Sequence, residues 1–137
     1  MKKKVVVLLS LVLVVLLVIV ATIAMKPAKQ TGAKVVFITV IVEGEVLYDE
    51  KITSSEEILG ELLDDTDELN MKVEESSFGR FIVELYNVEQ GDAATGPWWM
   101  YESENNEVCL QLGYCPGIDE VTIQDGDQFT FELSSAY

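Results

Sequence analysis

The chain has 137 residues with nine basic and 24 acidic side chains and no histidine, and its length is typical of one compact domain. Residues 26–137 hold six of the cations and all 24 acids, a formal charge of −18 that repels phosphate backbones and argues against nucleic-acid binding. With no histidine and with Arg80 as the single arginine, the composition also argues against a histidine-based triad, a histidine metal site and an arginine clamp on phosphate.

The first predicted element is a hydrophobic helix that follows three lysines. Val5 to Met25 is a run of 21 residues in which only Ser10 and Thr22 are polar. A helix of this length matches a hydrocarbon core of about 30 Å and exceeds the usual apolar region of a cleaved signal. We therefore predict that residues 1–25 are an uncleaved signal anchor that contacts the lipid bilayer through residues 5–25. The alternative is a cleaved signal peptide and secretion; in both cases the acidic part lies outside the cell membrane.

The next predicted elements are a linker and a hairpin. Residues 26–34 are polar, contain proline and glycine, and are predicted to form the linker. A β-branched and aromatic run from Val35 to Val42 is followed by Glu43-Gly44 and then by Glu45 to Ile52, which is typical of two strands and a tight turn. The outer domain is predicted to begin here and to cover residues 35–135.

A helix is predicted after the hairpin. Thr53 with Glu56, and Ser54 with Glu57, form two overlapping capping boxes. Four apolar residues follow at helical spacing: Ile58, Leu59, Leu62 and Leu63. Because anions are unfavourable at a helix C-terminus, this helix of about ten residues is predicted to end near Asp64.

Short strands are predicted for most of the remaining chain. They cover residues 81–86, 98–103, 108–112, 121–123 and 128–133. A loop is predicted at 87–97, and Asp125-Gly126-Asp127 is predicted to form a tight turn because glycine adopts positive φ without strain. One amphipathic helix packed on a mixed sheet would bury these elements, so the predicted fold class is α+β.

Four segments, taken together and in this order, resemble the transcobalamin C-terminal-like domains of bacterial surface proteins: 53–63, 78–88, 96–101 and 117–127. The resemblance implies a β-grasp-like fold and a module outside the cell that presents one face to a ligand. In transcobalamins the corresponding domain covers one face of cobalamin, so the resemblance implies a corrinoid. The sequence departs from the family pattern between Glu102 and Pro116, where both cysteines lie.

The segment Trp98-Trp99-Met100-Tyr101 supplies the candidate ligand-binding residues. On a strand, Trp98 and Met100 share one face, and Trp99 and Tyr101 share the other. One pair is expected in the core, while the other could offer a flat stacking surface. We therefore take Trp98, Trp99 and Tyr101 as the ligand-binding candidates, with a purely structural role for the tryptophans as the alternative.

Cys109 and Cys115 enclose five residues and, outside the cytoplasm, are predicted to form a disulfide. No histidine or further cysteine completes a metal site or activates a catalytic thiol, so neither is predicted. Four acids lack the EF-hand spacing and are predicted to be solvated turn residues: Asp119, Glu120, Asp125 and Asp127. Three acidic pairs are likewise predicted to form a solvated surface: Asp64-Asp65, Asp67-Glu68 and Glu74-Glu75.

No carboxylate pair stands out among the 24 acids as a catalytic pair, so neither an enzyme nor a cofactor is predicted. The sequence predicts a membrane-anchored or secreted, extracytoplasmic ligand-binding module. The alternative is a non-catalytic structural or adhesive cell-surface domain that binds protein or cell wall.

Overall fold

The computed structural model describes residues 2–24 and 32–135. The first range forms helix α1 (Lys2–Ala24), whose side chains are exposed over residues 2–21. This helix is long and apolar enough to cross a membrane, by its length and composition. That agrees with the predicted anchor or signal segment. Residues 26–31 of the predicted linker lie outside the described residues, and the domain boundaries stay a prediction.

The second range is an α+β domain, which confirms the predicted fold class. Its strands and α-helices are, in chain order, β1 (Lys34–Val42), β2 (Glu45–Ser54), α2 (Leu59–Asp64), β3 (Lys72–Ser76), β4 (Gly79–Leu85), β5 (Val88–Glu89), β6 (Trp98–Glu102), α3 (Glu107–Leu112) and β7 (Gln128–Ser134). Two short 3-10 turns, Asp67–Leu69 and Ile118–Glu120, complete the regular structure.

The strands form two sheets. The larger one has the order β2-β1-β7-β6, with β1 and β7 parallel in its centre and β2 and β6 antiparallel at its edges. The smaller one is antiparallel, with the order β3-β4-β5. Glu43 and Gly44 connect β1 to β2 with φ of 51° and 78°, the two-residue turn that matches strand twist. The predicted hairpin is therefore confirmed.

The core covers one face of the larger sheet. Alternate residues of the central strands are almost fully buried: Val36, Ile38, Val40, Phe129 and Phe131. Leu59, Leu62 and Leu63 of α2 pack in the same cluster as one stripe. Each side chain of this kind contributes about 1.5–3 kcal/mol when it leaves water, so this sheet and α2 supply much of the stability.

Helix α2 begins later than the sequence predicts. Thr53 and Ser54, the predicted capping residues, are the last residues of β2, and Ile58 at the N-cap position makes no side-chain cap. The helix has six residues instead of about ten. The prediction of two capping boxes is therefore wrong, although the helix ends at Asp64 as predicted.

A pairing between distant segments replaces the first predicted turn of this helix. The N–H of Leu59 donates to the carbonyl of Val121 at 2.9 Å, and the N–H of Ile123 donates to the carbonyl of Glu57 at 3.0 Å. The first bond satisfies a backbone N–H at the beginning of the helix, where N–H groups have no partner within the helix and otherwise need a side-chain cap. The predicted strand 121–123 is correspondingly reduced to one isolated bridge.

The predicted strand 108–112 is a helix. Helix α3 has Asn106 as its N-cap, whose Oδ1 accepts from the N–H of Cys109 at 3.2 Å, and it ends at Gly113 with φ of 79°. A five-residue run with four apolar residues is too short for its period to separate strand from helix. The asparagine before the run and the glycine after it are the local signals that favour the helix.

Strand β3 was not predicted. It is an edge strand whose residues are exposed except for the half-buried Val73, so it lacks the alternation of a strand that covers a core. Glu74 and Glu75 are exposed on it, in agreement with the predicted solvated surface.

Candidate ligand-binding site

Five large apolar side chains that solvent reaches define what we call the aromatic face. Phe78 is 90% exposed at the turn between β3 and β4, and Tyr114 is 65% exposed just after α3. Leu110 is 59% exposed on α3, while Phe81 and Met100 are 41% and 44% exposed. A group of exposed apolar side chains is costly in water, and such patches mark interaction sites on soluble domains.

Three adjoining concavities show that these side chains share one face. Phe78 and Tyr114 line the first, of about 640 Å³, and Phe81 and Met100 line the second, of about 90 Å³. Met100, Leu110 and Tyr114 line the third, of about 490 Å³. Met100 and Tyr114 thus each connect two of them. The first and third have the size of sites that take small organic ligands.

Arg80 lies where the first and second concavities meet and binds two carboxylates. Its Nε and Nη2 donate to Asp119 at 2.8 and 2.7 Å, and its Nη1 and Nη2 donate to Asp64 at 3.1 and 3.0 Å. These hydrogen bonds, those with Asp119 first, raise the pKa of Arg80 and lower the pKa of Asp119. Asp64 and Asp119 are exposed, in agreement with the predicted solvated acids, but both also bind β4 through Arg80, which was not predicted.

Acid is expected to weaken this contact. Since the pKa of Asp119 is lower in the fold than its value of about 3.9 in an unfolded chain, its stabilising contribution is complete above about pH 4 and is lost as the pH falls through the folded pKa. Urea denaturation between about pH 7 and pH 3 should therefore show a smaller loss of stability on acidification for Asp119→Asn than for the parent. Equal acid sensitivity of the two proteins would contradict this assignment.

Tyr101 fixes the chain behind Tyr114. Its hydroxyl donates to the carbonyl of Pro116, and its ring stacks on Phe131 with centroids 5.2 Å apart and an interplanar angle of 16°. Burial raises the pKa of the Tyr101 hydroxyl, and the charge of Glu120 raises that pKa further. The hydroxyl therefore stays protonated and serves as a donor that positions the wall of the site.

A second link holds the same wall. The Sγ atoms of Cys109 and Cys115 lie 2.12 Å apart, which is bonding distance for two sulfur atoms. Cys109 is 4% exposed and belongs to the core cluster, so a bond here attaches the segment that carries Tyr114 to the core.

The disulfide has a direct test. Alkylation without reductant should leave the intact mass unchanged, and Cys109→Ser/Cys115→Ser should lower the free energy of unfolding by about 2 kcal/mol because the closed loop is short. Reduced parent protein is the matched control and should lose a similar amount. Alkylation of the unreduced parent would show that the thiols are free.

The three predicted binding residues lie mostly behind the aromatic face. Trp99 is 8% exposed, and its Nε1 donates to the carbonyl of Val88 at 3.0 Å. Trp98 is half-buried, and its Nε1 donates to the carbonyl of Ala93 at 3.1 Å. Trp99 and Tyr101 line the second concavity, whereas Trp98 lines none of the three. A role for these residues in binding stays a prediction.

Sequence reasoning did not find Phe78 and Tyr114. Phe78 follows two serines and precedes Gly79, a composition that is typical of a turn. Tyr114 follows Gly113 at the end of a helix that was predicted as a strand. A large aromatic residue inside a turn was the available signal for both.

The turn after residue 120 is part of the framework of the site. Asp127, predicted to be solvated, is 6% exposed, and its Oδ2 accepts from Nδ2 of the buried Asn106 at 2.7 Å and from the N–H of Gln124 at 2.8 Å. Burial raises the pKa of Asp127, and the two hydrogen bonds oppose that rise. Asn106 also donates to the carbonyl of Thr122 at 2.9 Å, so it joins the start of α3 to this turn.

Comparison with known proteins identifies a shared fold. No protein-family model and no curated protein matches the chain. A Ruminococcus gnavus ATCC 29149 protein to which metal binding is attributed matches with a TM-score of 0.56 and 22% identity, over 76% of this chain and 99% of its own. Haptocorrin in complex with Cbi matches with a TM-score of 0.59 and 15% identity, over 83% of this chain and 28% of its own.

The likeness is one of fold. It supports the predicted transcobalamin-like resemblance at that level, and this chain spans little more than a quarter of haptocorrin's length, 28%. Within residues 2–24 and 32–135, no group of three or more His, Cys, Asp or Glu side chains is placed to hold a metal ion.

Proposed function

We propose that the domain of residues 32–135 binds a flat ligand of the corrinoid type on its aromatic face. The observation that carries the proposal is the set of five exposed apolar side chains around concavities of about 640 and 490 Å³. Haptocorrin, which shares the fold, was crystallised with the corrinoid Cbi. Phe78 and Tyr114 both line the concavity of about 640 Å³, so a planar ligand in it has two exposed rings to contact.

The same geometry favours binding over catalysis. Two polar groups at the aromatic face are already engaged, because Arg80 is bound to two carboxylates and the Tyr101 hydroxyl donates to a backbone carbonyl. Catalysis needs a nucleophile or a base with a free electron pair directed at the ligand. Arg80 and Tyr101 instead fix the walls of a receptor, which supports binding.

We place this receptor outside the cytoplasmic membrane. Helix α1 has the length and composition of a membrane span or signal, and three lysines at its start favour the inside. Disulfides persist in oxidising compartments, so the Cys109–Cys115 pair at bonding distance also supports a location outside the cytoplasm.

Equilibrium dialysis with Cbi tests the proposed function. We expect the full chain, held in neutral-lipid nanodiscs, to bind Cbi at micromolar concentration, and we expect Phe78→Ala and Tyr114→Ala each to weaken binding by about tenfold, the value of one aromatic stacking contact. Phe37→Ala is the matched control, because Phe37 is 41% exposed on β1 and lines none of the three concavities.

Two outcomes would count against the proposal. Failure of the parent protein to bind Cbi would favour the structural or adhesive surface domain. Binding that Phe37→Ala weakens as much as Phe78→Ala would place the ligand elsewhere on the domain.

A further inference from the structure

We infer that the site selects its flat ligand by charge: it takes a cationic ring and rejects an anionic ring of the same shape. The inference rests on the proposed function, since it specifies the class of ligand for the same aromatic face. It follows from the charged side chains that line the concavities and from the way in which the nearest cation is already neutralised.

Among the described residues that line the three concavities, the charged ones are Arg80, Asp119, Glu120 and Glu102. Their formal charges amount to −2. Glu120 and Glu102 are exposed at the rims of the first and third concavities, beside the exposed ring of Tyr114. A ligand in either of these concavities therefore has an exposed carboxylate in the wall around it.

Arg80 does not reverse this sign. Its side chain is 23% exposed, and its guanidinium is held between Asp64 and Asp119 at 2.7–3.1 Å, so its positive charge is more than matched by two carboxylates. Four of its five N–H groups donate to these partners, and an anionic group of a ligand that reached the remaining Nη1–H would lie beside two carboxylates that repel it. The one arginine of the chain thus holds the wall instead of receiving an anion.

The surroundings reinforce the local sign. All 24 acids of the chain lie in residues 26–137, against six cations, so the potential over the whole domain is negative. Salt distinguishes the effect of the nearby carboxylates from that of the overall charge. The electrostatic screening length is about 10 Å at 0.1 M salt and about 3 Å at 1 M, so added salt weakens the attraction from distant charges first. A preference for the cationic ring that remains at high salt is therefore due to Glu102 and Glu120, and not to the overall charge of the domain.

Two porphyrins of opposite charge test the inference on the same ring shape. The full chain in neutral-lipid nanodiscs is titrated with cationic tetra(N-methylpyridyl)porphyrin and with anionic tetra(sulfophenyl)porphyrin, with empty nanodiscs as the blank. We expect the cation to bind about tenfold or more tightly than the anion at about 0.1 M salt. Phe78→Ala should weaken binding of the cation, which shows that it sits on the aromatic face.

Two charge-matched variants locate the selection. Glu102→Gln/Glu120→Gln should reduce the preference several-fold, whereas Glu45→Gln/Glu50→Gln, on the opposite edge strand β2, changes the total charge equally and should leave the preference almost unchanged. Equal binding of both porphyrins, equal effects of the two double variants, or a cation that Phe78→Ala leaves bound would each overturn the inference. If Cbi still binds in those cases, the proposed function stands; if neither Cbi nor either porphyrin binds, both are overturned.

Discussion

Replacing Asn106 with alanine is expected to lower the free energy of unfolding by about 2–4 kcal/mol. Asn106 is fully buried, caps α3 through the N–H of Cys109, and donates to the carbonyl of Thr122 and to Oδ2 of Asp127. The loss of an N-cap accounts for about 1 kcal/mol, and a buried carboxylate and a carbonyl that each lose one donor account for the rest. Urea denaturation of the full chain in nanodiscs, followed by tryptophan fluorescence, measures the change.

Two controls make this result specific. Asn105→Ala removes hydrogen bonds to Gly126 and Gln128 at an exposed position, so it should cost clearly less. In an Asp127→Asn background, Asn106→Ala should also cost less, because the group left behind is a neutral amide. If Asn106→Ala cost no more than Asn105→Ala, the network around Asp127 would not hold the end of α3 as described.

Replacing Gly60 with alanine is expected to destabilise the domain by about 3 kcal/mol, although alanine is the better helix former by about 1 kcal/mol. Gly60 is buried in α2, and a Cβ built there would collide with Oδ1 of Asp119 and lie 2.9 Å from Nη2 of Arg80. The two side chains bind each other at 2.7 Å, so the added methyl group must displace them together or break their contact, which joins β4 to the turn 118–120.

Gly117→Ala is the matched control for Gly60→Ala. Gly117 has an ordinary φ of −54°, and a Cβ there would meet its nearest atoms at 3.9 and 4.0 Å, so the substitution should cost little. In an Asp119→Ala background the cost of Gly60→Ala should fall, since the collision is removed. A stabilising effect of Gly60→Ala in the parent would mean that α2 lies farther from Arg80 than the structure places it.

The strands that cover the core were predictable because the signals for them lie in neighbouring residues of the sequence. β1 and β7 alternate fully buried side chains with half-buried or exposed ones, and Glu43-Gly44 and Asp125-Gly126 supply turn residues beside them. The beginning of α2, by contrast, depends on contacts between distant parts of the chain. Pairing with Val121 and Ile123 overrode the capping boxes of α2.

The site was less predictable than the fold for the same reason. Arg80 meets partners that are 16 and 39 residues away, and sequence spacing carries no sign of such pairs. The aromatic strand was found, but the fold turned Trp99 into the core and left Phe78 exposed. A single residue's exposure depends on the whole tertiary structure, so the sequence located the region of the site and not its exposed members.

Methyl NMR of the full chain in nanodiscs, with methionine methyl groups labelled with ¹³C, tests the central claim most directly. Met100 lies on the aromatic face at 44% exposure, whereas Met71 is half-buried and lines none of the three concavities. On addition of Cbi, the Met100 resonance should shift in a saturable way and the Met71 resonance should stay in place. A shift of Met71 alone, or saturating Cbi with no change at Met100, would contradict a ligand site on this face.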